Sequence, residues 1–148
     1  MGDPFDVKWI HGSADCAANT DPAFQVHRFD ESTYILRQNK CLDFEAPFLY
    51  LLFGQNKTLL LDTGAQPAHG HVLPVRQTVQ SIIHQWLASH GRQSIDLIVA
   101  HSHSHSDHTH GDAQFIGTVK RPIDCGPSGI GGVLNPFVRL PSGTSKTS

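Results

Sequence analysis

The chain has 148 residues, a formal net charge of −2 and 39% hydrophobic residues, the proportions of one folded domain with a core of its own. Disorder throughout is excluded, and so is a membrane-spanning helix, because the longest apolar run, Phe48 to Phe53, stops at Gly54, well short of the roughly 20 residues that cross a bilayer. The charge balance gives no reason to expect nucleic acid or a membrane surface as partner.

The polar, acidic opening MGDPFDVKWIHGSADC lacks the basic-then-apolar pattern of a secretory signal, so a cytoplasmic setting is expected. Cys16, Cys41 and Cys125 are an odd number for a disulfide framework, and in that setting they are expected to stay reduced. Phe24 to Phe29 and Ser32 to Gln38 read as short strands around the turn-prone Asp30-Glu31. Ala46 to Gly54 and Thr58 to Asp62 are apolar runs of strand length joined by a turn at 54–57, and their continuous apolar character predicts a sheet covered on both faces. Asp62-Thr63-Gly64 ends the second run. After a Pro/His/Gly loop, Val75, Val79, Ile82, Ile83, Trp86 and Leu87 form one stripe of a 3.6-residue period, which predicts a helix opening at Pro74 and closing near His90-Gly91. Ser94 to Ala100 is another buried strand, and a strand-helix-strand crossover places its two strands parallel. Residues 116–148 are dense in Gly, Pro, Ser and Thr and carry no stripe, so they are predicted to be an irregular tail distinct from the folded unit of residues 1–115.

The chemistry is concentrated after that last strand. Of the 11 histidines, five lie between His101 and His110. Residues two apart on extended backbone point the same way, so His103 and His105 are expected to offer imidazoles to one ion, and the adjacent Asp107 and His108 to face a second position. Imidazole with carboxylate suits zinc, with iron, manganese or cobalt compatible on ligand type. Both Asp62 and the histidine segment follow the carboxyl ends of strands, where parallel α/β units gather functional groups. Asp62 is therefore placed to accept a ring N–H from a ligating histidine and to fix its tautomer.

At His103, His105, Asp107 and His108, with Asp62-Thr63-Gly64 upstream, the sequence resembles the metallo-β-lactamase superfamily, whose signature is His-x-His-x-Asp-His after a strand, preceded by Asp-Thr-Gly. The resemblance covers roughly residues 24–115, about the N-terminal half of the family's domain. It implies an α/β fold of the αββα sandwich type and a zinc-dependent hydrolase, with two Zn²⁺ per complete site. His103 and His105 would hold one ion and Asp107 and His108 the other, with Asp107 orienting the nucleophilic water. The implied substrates are small molecules: esters, thioesters, lactones, β-lactams or phosphodiesters. The family's later ligands have no counterpart here, since no histidine follows His110. His110, Asp112 and Cys125 are the candidates to supplement the site, within one chain or across a homo-oligomer. The competing readings are a metal-binding or interaction module without catalysis and a solvated His/Ser loop with no tight metal. His69 and His71, in a loop without a carboxylate, are expected to be solvated near the mouth of a pocket.

Overall fold

Short apolar stretches from Phe24 onward fold into a meander that then becomes a crossover. A computed structural model describes residues 3–116 and 138–141. Strands β1 (Phe24–Arg28), β2 (Thr33–Gln38), β3 (Phe48–Phe53) and β4 (Lys57–Leu61) follow one another as antiparallel neighbours. Helix α1 (Val75–Ser89) carries the chain to β5 (Ser94–Ala100), which lies parallel to β4. The last described strand, β6 (Val138–Pro141), pairs antiparallel with β5 and completes a six-stranded sheet in sequential order. The fold is thus a mixed α/β unit built on one mixed sheet. No helix among the described residues is long and apolar enough to cross a membrane.

The helix is where periodicity placed it. Val75, Val79, Ile82, Ile83, Trp86 and Leu87 are its buried residues, and they pack on Leu36, Leu49, Leu51, Leu60, Leu97 and Val99 of the sheet in a single core. Pro74 stands one position before the first helical turn. At the other end the Trp86 indole stacks between Phe53 (4.4 Å) and His90 (4.0 Å) and donates to Glu31 O at 2.8 Å.

Three expectations are corrected. The sheet is not covered equally on both faces: burial alternates along β3 and β5, so that Leu49, Leu51 and Phe53 are buried while Tyr50 between them is 37% exposed. The reason is that α1 packs on one face only. On the other, the N-terminal segment provides part of the cover, with Trp9 edge-on to His27 and Phe48 and the Gln25 amide exchanging hydrogen bonds with Ile10 N and Lys8 O. Cys16 and Cys41 are not free thiols but a disulfide, with Cα atoms 5.2 Å apart, a spacing suited to a bridge. It ties the N-terminal segment to the loop between β2 and β3. The predicted irregular tail contains β6, because β5 would otherwise present an open backbone edge and Val138-Arg139-Leu140 supplies the groups to pair with it. The rest of that tail, Cys125 included, lies outside the described residues.

A polar hub beyond the ends of β4 and β5

Asp62 extends the parallel ladder by one residue, its N–H donating to Ala100 O at 2.8 Å, and then turns the chain at φ 68°. Aspartate is among the few residues that enter this left-handed region readily. The turn aims the carboxylate, buried at 3% exposure, into the loop that follows β5. There Oδ1 accepts from Ser102 N (2.7 Å), while Oδ2 accepts from Ser102 Oγ (2.8 Å) and meets His108 Nδ1 (2.8 Å).

The next two residues repeat the pattern. Thr63 N donates to His108 O at 2.8 Å, and its hydroxyl donates to Asp112 Oδ1 at 2.7 Å. Asp112 Oδ1 is also 2.8 Å from His101 Nε2. Gly64 O accepts from His110 N at 3.1 Å. Gly64 itself adopts φ +91°, and a Cβ there would stand 2.6 Å from Leu73 Cδ2 and 2.8 Å from Gln38 Oε1, so both conformation and space demand glycine. The buried Gln38 brackets Ala65, its Oε1 accepting from Ala65 N (2.9 Å) and its Nε2 donating to Ala65 O (3.1 Å). Asp62-Thr63-Gly64 is therefore stitched residue by residue to the segment 101–112. Leaving any of these buried groups without its partner would cost about 1–3 kcal/mol.

Held by this frame, the short helix α2 (Ser106–Thr109) brings Asp107 and His108 beside His103. Potential ligand atoms of His103, Asp107 and His108 all lie within 4.8 Å of one another. His108 Nε2 is 2.8 Å from Asp107 Oδ2, while its Nδ1 is engaged by Asp62. The His108 ring thus has one nitrogen fixed from behind and the other turned toward a carboxylate. The donor set fits a transition metal: two ligands each about 2.0–2.2 Å from a zinc stand at most about 4.4 Å apart, so small side-chain rotations bring these atoms onto one ion.

The grouping crosses the expected pairs. Strand β5 ends at Ala100 and the chain bends through 102–104, so His103 and His105 do not share an extended backbone. Their rings still meet edge-on at 4.7 Å, and the His103 ring lies 4.0 Å from that of His108. His105 precedes α2 and stands outside the three-residue group. Asp112 is committed to Thr63 and His101, and His110 is exposed with its backbone on Gly64. His69 and Asp107 line the same groove, and His69 is exposed. Ser102 and Arg37 were not singled out by sequence. Ser102 carries no signal beyond its place in a His/Ser run, whereas Arg37, a cation inside an apolar strand, is a legible anomaly. Comparison with protein-family models, with characterised proteins and with solved structures gives no match for this chain.

Proposed function

We propose that the chain is a metal-dependent hydrolase domain related to the N-terminal half of the metallo-β-lactamase fold, with zinc as the metal and a small molecule as substrate. The observation that carries the reading is the convergence of His103, Asp107 and His108 within 4.8 Å, beyond the carboxyl ends of two parallel strands. Two imidazoles and a carboxylate also match the ligand count of catalytic zinc centres, which keep three protein ligands and an open position. A bound zinc supplies hydroxide at neutral pH by lowering the pKa of its water toward about 7.

The chain's own residues divide the remaining work. Asp62, accepting from His108 Nδ1, holds that ring in the tautomer whose Nε2 can ligate and fixes its direction. Ser102 keeps the Asp62 carboxylate in place through two hydrogen bonds. Asp107, beside His108 Nε2, offers a carboxylate oxygen that can ligate or accept a proton from an attacking water. Association of two copies is the proposed route to further ligands and to cover for the open sheet face; sedimentation and turnover across a dilution series test it, and full activity in a strict monomer would remove it.

Metal content of the untagged full chain, with and without Asp107→Asn, tests the central reading. We expect zinc uptake in the wild type and a marked loss of affinity in the variant, because a neutral amide is a poorer ligand than a carboxylate. No uptake of zinc or any other transition metal by the wild type would overturn the proposal. Uptake without turnover of esters, thioesters, lactones, β-lactams or phosphodiesters would leave a metal-binding module in its place.

A further inference from the structure

The open face of the sheet carries a cation that the metal group does not use. Along β2, Leu36 and Gln38 are buried toward α1, so Arg37 between them projects to the opposite face. Its guanidinium lies over the Phe48 ring, 4.4 Å from the centroid. Its Nε is buried and has no hydrogen-bond partner among the described residues. Such a group is uncommon, since a buried N–H of a cation ordinarily finds an acceptor.

Arg37 also shares a groove of about 420 Å³ with Asp62, Asp107 and His108. The groove runs across β3, whose Phe48 pairs with Arg37 and whose Tyr50 pairs with Leu61 at the end of β4. Two strand spacings, roughly 10 Å, separate β2 from β4. The cation and the histidine–aspartate group thus face one cleft from opposite ends, with aromatic side chains between them.

We propose that Arg37 is the anion-binding end of this groove and that the substrate is a small carboxylate with an apolar body. The reaction assigned to that substrate rests on the hydrolase reading above; the binding does not. A guanidinium offers five donors in a planar fork that matches a carboxylate, and a side-chain rotation that brings Nε to the groove would let a carboxylate oxygen satisfy the orphaned donor. The apolar body would lie along Phe48 and Tyr50, leaving the far end of the molecule beside Asp107 and His108. A single guanidinium in a groove that Glu45 also lines suits a monoanion better than a phosphate dianion.

The test uses the metal-free full chain, so that no ion competes for the anion. Phenylacetate, its neutral amide and phenyl phosphate are titrated while the Arg37 Nε–H resonance is followed. We expect phenylacetate to shift that resonance and the amide to leave it in place. Arg37→Gln should weaken phenylacetate by roughly tenfold or more, and Arg37→Lys, which keeps the charge and loses the fork, by less. Melting temperatures of both variants separate lost binding from lost folding, and Arg37→Lys carries the test if Arg37→Gln does not fold. Equal binding of acid and amide, or unchanged affinity in the folded variants, would overturn the subsite. Preference for phenyl phosphate would overturn the carboxylate assignment. Zinc uptake is measured separately, so failure of the hydrolase reading shows there and not in this titration.

Discussion

The two faces of the sheet are built by different rules. The face under α1 is closed by periodic apolar packing: Leu36, Leu49, Leu60, Val79 and Ile83 have no exposure. The opposite face is part covered, with Tyr50 37% exposed, and it holds Arg37 and opens toward the polar hub. The contrast shows a division of labour within one layer. Burial on the first face makes the strands rigid, and the ends of those strands then hold a hydrogen-bonded hub whose geometry no local propensity specifies.

The largest expected effect breaks the first face alone. Leu60 is fully buried, pairs with Leu51 and Val99, and faces α1. Leu60→Ala should cost about 2–5 kcal/mol of stability, read as a lower denaturation midpoint. Metal affinity of the folded fraction should change little, because the hub's hydrogen bonds do not pass through Leu60. A loss of affinity in protein that melts like the wild type would show that the faces are not separable.

The disulfide tests the partial cover on the second face. A bridge closing 25 residues between Cys16 and Cys41 restrains the unfolded chain by about 3 kcal/mol on the loop-entropy account. Replacing both cysteines by serine, or adding reductant to the wild type, should lower stability by an amount of that order. An unchanged midpoint would mean that the N-terminal segment docks through Trp9 and Gln25 without help from the bridge.

How far the sequence discloses this molecule follows the same division. The stripe Val75 to Leu87 is legible because burial on one face of a helix imposes a period, and the structure buries those residues, whereas the strand runs at 46–54 and 58–62 are legible as short apolar stretches bounded by turns. Proximity of Asp62 to the histidine segment is legible from strand ends, since parallel neighbours finish side by side. Its partners are not: the Ser102 contact depends on the left-handed turn at Asp62, and the His101–Asp112 bond spans an irregular bend and a short helix. The pairing of Cys16 with Cys41 joins two loops and has no periodic signature. β6 lies in a stretch whose Gly/Pro density masks it, and its pairing is set by the free edge of β5, a tertiary fact.

Within the hub, Asp62→Ala should weaken metal binding by roughly 10–100-fold, the usual consequence of freeing a ligating imidazole from its orienting carboxylate. The fold should persist, since the α1 face is untouched. A competition titration with a chromophoric chelator measures the affinity and circular dichroism the fold. A variant that unfolds, yet binds zinc normally when folded at low temperature, would make Asp62 a turn residue and no more.

The smallest expected effect discriminates most sharply. If same-side projection from a strand end chose the ligands, His103 and His105 would be equivalent, and alanine at either would remove the same ion. The backbone argues otherwise: β5 has ended at Ala100, and His105 stands before α2 with its ring against His103 and outside the group of His103, Asp107 and His108. His103→Ala should therefore cost most of the zinc affinity, whereas His105→Ala should cost little, the residual loss coming from the edge contact that helps hold the His103 ring. Two zincs per chain, with one lost equally in either histidine variant and the other lost in Asp107→Asn, would restore two paired positions. One zinc per chain, sensitive to His103 and Asp107 and tolerant of His105→Ala, would establish the single three-residue centre.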